Sequence, residues 1–89
     1  MHAVVVNVTR HDPEKSEEAV RNDVAPRVSK MPGFIAGYWT AAGSSGLSMV
    51  VFESEEAANA AAEMVRGGSI APDSVTVDTV EVREVVASA

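Results

Sequence analysis

The chain has 89 residues, of which 46% are hydrophobic, and a formal net charge of −6. This length allows one domain, residues 1–89, which buries only about 60–65% of its unfolded surface. The acidic balance argues against nucleic acids and anionic membranes as partners, and the absence of Cys excludes disulfides, thiolate metal ligands and a thiol nucleophile.

The N-terminal segment lacks the features of a signal peptide. It has no basic n-region, and Asn7 interrupts its apolar run. No stretch of the sequence approaches the ~20 apolar residues of a membrane span. The absence of Cys also fits a reducing compartment. We therefore expect a cytoplasmic protein without a membrane partner.

The first strand is predicted at residues 3–9, where the Val-rich segment alternates with a period of two. One face then carries Val4, Val6 and Val8, and the other carries Ala3, Val5, Asn7 and Thr9. Neither face is charged, so we expect both to be covered.

A helix is predicted to begin with Asp12 as its N-cap and Pro13 at the first helical position. Apolar residues at helical spacing form its buried stripe: Val20, Val24, Val28 and Met31. Pro26 interrupts this pattern, because an interior Pro loses a hydrogen bond and clashes with the preceding turn at a cost of ~3 kcal/mol. We therefore expect a kink or break near residues 22–25.

Two further strands are predicted around a hairpin. Residues 34–40 form the second strand, and Gly43-Ser44-Ser45-Gly46 forms the loop. The third strand, residues 47–52, has two usable faces: Leu47, Met49 and Val51 on one, and Ser48, Val50 and Phe52 on the other.

The second helix is predicted to begin at the N-cap Ser54 and to end at Gly67-Gly68. The last strand spans about residues 75–86, but its alternation slips, since Val75 and Val77 share one parity and Val80 and Val82 share the other. Either a bulge near Asp78–Thr79 or a solvent-edge strand with mixed faces explains this slip.

The predicted element order is therefore βαββαβ, an α+β ferredoxin-like fold with a four-stranded antiparallel sheet. Two helices can cover only one face of such a sheet. The other face then carries an apolar patch several strands wide, which usually marks an interface. A two-fold homodimer through this open face, extended by the last strand, is the simplest solution.

Two passages carry a resemblance to a known family. Met31-Pro32-Gly33-Phe34 leads into the second strand, and Val50-Val51-Phe52-Glu53-Ser54 leads into a Glu-Ala-rich helix. Together with the element order, they resemble the dimeric α/β-barrel superfamily, and within it small proteins of the antibiotic-biosynthesis-monooxygenase type. This resemblance implies a pocket between sheet and helices, and a cofactor-independent monooxygenase that acts on an aromatic quinol or polyketide-like substrate.

In such an enzyme the substrate supplies its own reducing power to O₂, and the protein stabilises a developing enolate or phenolate. Asn7 is the candidate catalytic donor, because it is the only strongly polar residue within the first strand. The alternative is that Asn7 bonds a buried backbone group or a water. The remaining candidate ligand-binding residues are Phe52, one of Tyr38 and Trp39, which face opposite sides of their strand, and His11 as a base at the pocket mouth.

No haem, flavin or metal is expected. In the haem-degrading branch of this superfamily, an Asn in the first strand works with a Trp and a His. Here Asn7 matches the Asn, Phe52 occupies the Trp position, and residues 55–66 contain no His. His2 and His11 lie at opposite ends of one strand and cannot share a metal. The alternative to an oxygenase is a non-catalytic protein, either a small-ligand binder or a structural dimer.

Overall fold

The structure, a computed structural model, describes residues 1–89 as a four-stranded antiparallel sheet with helices on one face. The strand order across the sheet is β2-β3-β1-β4, which is typical of a ferredoxin-like fold. The predicted fold class is confirmed. No helix is both long and apolar enough to cross a membrane. In chain order the elements are β1 (His2–Arg10), α1 (Pro13–Ala19), a π-helical turn (Val20–Val24), α2 (Ala25–Ser29), β2 (Phe34–Ala42), β3 (Ser45–Phe52), α3 (Glu55–Arg66) and β4 (Val75–Glu84).

The helical arm, residues 13–29, consists of α1, the π-helical turn and α2 joined without a break. The side chain of Asp12 accepts a hydrogen bond from the Lys15 amide at 3.2 Å and caps the arm. Pro26 is the second residue of α2, one residue after the end of the π-helical turn. A π-turn changes the register of the backbone hydrogen bonds, so the missing amide of Pro26 is absorbed by local distortion instead of a break. The irregularity is where the sequence predicted it.

The sheet presents one face to the helices. Val4 of β1 pairs in register with Val50 of β3 and Val82 of β4, and the row below it joins Val6 to Ser48 of β3. The predicted division of β1 and β3 into two faces is confirmed, because the buried core on the helical side includes Val4, Val6, Val50 and Phe52. Three alanines of α3 complete this core: Ala58, Ala61 and Ala62.

The slip in β4 is a bulge. Asn7 pairs with Thr79, whereas its neighbour Val8 pairs with Val77, so Asp78 is the extra residue. The bulge returns the valines on both sides of it to the helical face, where they pack against the core. β4 is also an edge strand of the sheet. The bulge therefore explains the slip, whereas the mixed faces of the alternative explanation are not found.

The open face is the side of the sheet that no helix covers. Its apolar part lies on β2 and β3, where Tyr38, Leu47 and Met49 are 67%, 42% and 45% exposed, and continues to Val5 of β1, which stands in register with Met49. Its polar part lies on β1 and β4, where Asn7 bonds Thr79. The open face is thus half apolar and half polar.

The helices differ in which strands they contact. The Ala-rich α3 contacts β1, β3 and β4, whereas the helical arm contacts the sheet chiefly through α2 on β2. Small side chains allow α3 to approach closely, while the α1 end of the arm stands away from the strands. This unequal packing leaves a cavity beneath the arm.

Candidate functional site

The candidate site is the cavity between the helical arm and the sheet. Its volume is about 370 Å³, within the range of small-molecule sites. Of the 26 residues that line it, 18 are hydrophobic. All four strands contribute to its floor, and α1, the π-helical turn and α2 contribute to its roof. The cavity is therefore a broad, mainly apolar slot.

The inner end of the slot is closed by the core. Phe52 is 1% exposed and lies edge-on to Phe34, with ring centroids 6.3 Å apart and an interplanar angle of 82°. Val4 and Val28 line the same end from the sheet and from the helical arm. This part of the cavity offers a ligand only hydrophobic and aromatic contacts.

Trp39 forms an aromatic surface on the floor of the slot. Its ring lies over Gly37, where a Cβ atom would stand only 2.8 Å from Cη2 of the indole. The absence of a side chain at Gly37 thus lets the indole lie close to the strand backbone. Trp39 is the only Trp in the chain, so its fluorescence reports directly on the cavity.

Ser48 is the polar group in the middle of the floor. It stands in register with Val6 on one side and Trp39 on the other. The other two hydroxyls that line the slot are already engaged: Ser16 bonds Ser74 at 2.9 Å, and Thr40 donates to the Leu47 carbonyl at 2.7 Å. Ser48 has no side-chain partner in the protein, so its hydroxyl is available to a ligand oxygen.

The mouth of the slot is charged. Arg10, the last residue of β1, donates from Nε to the Gly43 carbonyl at 3.2 Å, and its Nη2 donates to the same oxygen. On the opposite wall, Arg21 of the π-helical turn forms an ion pair of 2.6 Å with Glu17. Both arginines and Glu17 line the cavity.

The structure brings together two of the predicted ligand-binding residues. Phe52 and Trp39 line the cavity, and Trp39 is the member of the Tyr38–Trp39 pair that does so. Tyr38 lies on the open face and is 67% exposed. The strand alternation required that only one of these two neighbours face the helices.

Asn7 does not line the cavity, and its expected place in the cavity wall is wrong. It shares the face of Val5, as expected, but that face is the open one, and Phe52 points to the other side. The Asn7 amide nitrogen donates to Thr79 Oγ1 at 2.9 Å. The partner is thus an exposed side-chain hydroxyl of β4, and neither a ligand in the cavity nor the buried backbone group or water of the alternative interpretation.

His11 also lies outside the cavity. It follows β1, is exposed, and its Nε2 bonds the Thr76 hydroxyl of β4. Together with the Asn7–Thr79 bond and a bond from Thr9 to Asp78, it forms a row of polar contacts between β1 and β4. A role for His11 as a base at the cavity mouth therefore has no geometric support.

Sequence reasoning missed Arg10 and Ser48. Alternation along the strands places both residues on the face of the apolar residues around them. Arg10 continues the series Val4, Val6 and Val8, and Ser48 precedes Val50 and Phe52 in the same way. The signal was present in this alternation. Alternation alone does not distinguish a polar residue in a cavity wall from one at the solvated end of a strand.

No group of three His, Asp or Glu side chains converges in the way that a metal site requires. A scan against protein-family models and a search of the curated proteins both give no match to this chain. The cavity and its lining residues are therefore the basis for assigning a function.

Proposed function

We propose that this protein binds a small, planar, largely aromatic molecule in the cavity between the helical arm and the sheet. The observation that carries this proposal is the slot itself, with its apolar lining, the half-buried indole of Trp39 and the unpartnered hydroxyl of Ser48. Such a combination of apolar walls with a few polar groups is typical of small-molecule sites.

The expected affinity follows from the size of the ligand. A bicyclic probe such as 2-naphthol has 11 non-hydrogen atoms, and about 0.5 kcal/mol per atom is a moderate ligand efficiency. The binding free energy is then about 5 kcal/mol, which corresponds to a dissociation constant on the order of 100 µM. Stacking on Trp39 favours aromatic over saturated rings.

The test is a titration with 2-naphthol and its saturated analogue decahydro-2-naphthol, followed by the fluorescence of Trp39. We expect saturable quenching by 2-naphthol and weaker binding of the saturated analogue. Val20→Phe fills the cavity from the π-helical turn and is expected to weaken binding by fivefold or more. Val86→Phe adds the same ring at a position that is 90% exposed and outside the cavity, so it is the matched control.

Two results would contradict the proposal. One is the absence of a saturable response to either probe at millimolar concentration. The other is unchanged 2-naphthol affinity in Val20→Phe, provided that its circular dichroism and melting curve show a folded protein.

We also propose that the protein is a homodimer formed through the open face and extended by β4. The apolar part of this face is a continuous strip: Tyr38 and Val5 both stand in register with Met49. Exposed apolar surface of this kind supports an interface, and two sheets packed face to face would bury it in both copies.

A second candidate function is cofactor-free oxygenation of the bound ligand. Its support is the resemblance to antibiotic-biosynthesis monooxygenases, together with a mainly apolar slot that is lined by the free hydroxyl of Ser48 and by Arg10. Both groups could stabilise a substrate phenolate or enolate. For an anthrone, the ring methylene becomes a carbonyl, one oxygen atom of O₂ enters that carbonyl, and the other leaves as water with the two methylene hydrogens. No external reductant is needed.

The test of this second function is oxygen consumption with 1,8-dihydroxyanthrone above the uncatalysed rate. We expect turnover that is reduced at least tenfold in Val20→Phe and retained in Val86→Phe. If both variants and a boiled sample match the wild type, the oxygenase assignment is wrong and the binding function stands alone.

A further inference from the structure

We infer that the natural ligand carries an anionic oxygen group, a carboxylate on a planar aromatic body, and that Arg10 recognises it. This inference rests on the proposed ligand cavity and extends it to the chemical class of the ligand. Arg10 would be a ligand-binding residue at the mouth of the slot.

The first argument is charge. The other four arginines of the chain each have a carboxylate partner: Arg21 with Glu17, Arg27 with Asp23, Arg66 with Glu63, and Arg83 with Glu81. Arg10 forms no ion pair, although acidic residues outnumber basic ones by 13 to 7. In so acidic a chain, a half-buried guanidinium without a carboxylate partner leaves its positive charge available to a ligand.

The second argument is preorganisation. Two nitrogens of Arg10, Nε and Nη2, donate to the neutral carbonyl of Gly43, which orients the guanidinium plane without neutralising its charge. The donors on Nη1 have no partner in the protein. A guanidinium already held in one orientation loses less conformational entropy when it binds a carboxylate.

The third argument is the space that the sequence leaves for this side chain. Gly46 of β3 stands opposite Val8 of β1. A Cβ atom at Gly46 would stand 2.6 Å from Cγ2 of Val8 and 3.7 Å from both Cγ and Cδ of Arg10. The stem of Arg10 therefore crosses Gly46 on the helical face of the sheet on its way to the Gly43 carbonyl in the hairpin, and both Arg10 and Gly46 line the cavity there.

The polarity of the cavity defines how such a ligand would lie. Val4 lines the inner end and Arg10 the mouth, six residues further along β1, which is about 20 Å in an extended strand. The opposite wall of the mouth carries the Glu17–Arg21 ion pair, whose carboxylate is already neutralised. An aromatic body beside Trp39 with its carboxylate toward Arg10 satisfies both ends.

The experiment compares two probes of the same shape, naphthalene-2-carboxylate and naphthalene-2-carboxamide, by Trp39 fluorescence. We expect the wild type to bind the carboxylate about tenfold more tightly than the carboxamide. This factor lies between the small contribution of an exposed ion pair and the larger contribution of a hydrogen bond to a charged group. In Arg10→Gln the two probes should bind with about equal affinity, because the carboxylate binds more weakly while the carboxamide binds as it does to the wild type. Arg10→Lys keeps the charge and should retain part of the preference.

Lys15→Gln is the matched control. Lys15 is an exposed cation of α1 that does not line the cavity. Its replacement by Gln removes one positive charge, as Arg10→Gln does. We expect it to change the preference by less than about twofold, and added salt to reduce the preference in the wild type.

Each outcome separates this inference from the proposed function. Equal binding of both probes by the wild type, or an unchanged preference in a folded Arg10→Gln variant, overturns the role of Arg10 and leaves the cavity as a neutral aromatic site. If neither probe binds, the proposed ligand cavity and this inference both fail.

Discussion

Substitution of Met49 by Glu tests the proposed homodimer, because Met49 occupies the middle of the apolar strip on the open face. It pairs in register with Val5 on β1 and with Tyr38 on β2. Its side chain is 45% exposed in the single chain, so a Glu there remains hydrated in a monomer. In a dimer packed through this face, the same carboxylate would be buried.

The magnitude follows from the two-fold symmetry. Burial of one carboxylate without a partner costs about 3 kcal/mol after relaxation, and each dimer would contain two of them. The total of about 6 kcal/mol corresponds to a dimer dissociation constant raised by about 10⁴-fold. Glu81 of β4 pairs with Val5 in the same row, and the nearby Arg83 is already its ion-pair partner, so that cation does not compensate the new carboxylate.

The assay is light scattering coupled to size exclusion at about 50 µM protein. The wild type should elute at twice the chain mass of 9.3 kDa, and Met49→Glu at that chain mass itself. Met64→Glu is the matched control, since Met64 is 43% exposed but lies on α3, and it should remain dimeric. A monomeric wild type at this concentration, or a dimeric and folded Met49→Glu, would refute the reasoning.

Two further predictions concern local stability. Gly33 has a φ of +80°, and a Cβ atom there would stand 2.9 Å from Cβ of Ala57. Gly43 also has a positive φ, +60°, but there is open space around it. Gly33→Ala should therefore lower the free energy of unfolding by more than Gly43→Ala does. We expect about 1–2 kcal/mol for Gly43→Ala from backbone strain alone, and equal losses in urea unfolding would contradict the contact. Ser54 accepts a hydrogen bond from the Ala57 amide at 3.1 Å, so Ser54→Ala should cost about 1 kcal/mol, or about 4–8 °C in Tm, while Ser54→Asp should restore the cap; no loss in Ser54→Ala would show that the cap does not stabilise α3.

The candidate site was only partly predictable, and the reason lies in strand geometry. Alternation along β3 places Phe52 with Val50 and Ser48, and alternation along β2 separates Trp39 from Tyr38. Neither pattern says which face of the sheet the helices cover. Asn7 was assigned to a cavity because a polar residue among valines suggested a buried donor, yet its face is the open one, where Thr79 is its partner. A catalytic role for Asn7 would now require a ligand on the open face.

The sequence alone determined the order of the elements, the helix N-caps, the place of the slip in β4 and the two sets of residues on each strand. These features depend on local chemistry: proline lacks an amide hydrogen, a capping side chain reaches a nearby amide, and side chains alternate along a strand. A cytoplasmic location and the absence of a cofactor stay predictions from composition.

Only the tertiary structure decided which face the helices cover, and with it the place and chemistry of the cavity. The separation between the helical arm and the sheet depends on how closely the alanines of α3 approach the strands. It also depends on how the π-helical turn before Pro26 orients α1 relative to α2. Arg10 meets Gly43 and Gly46 only because β1 and the β2–β3 hairpin lie side by side, 33 residues apart in the chain in the case of Gly43. Contacts at such separations depend on the sum of many packing energies, which no local pattern contains.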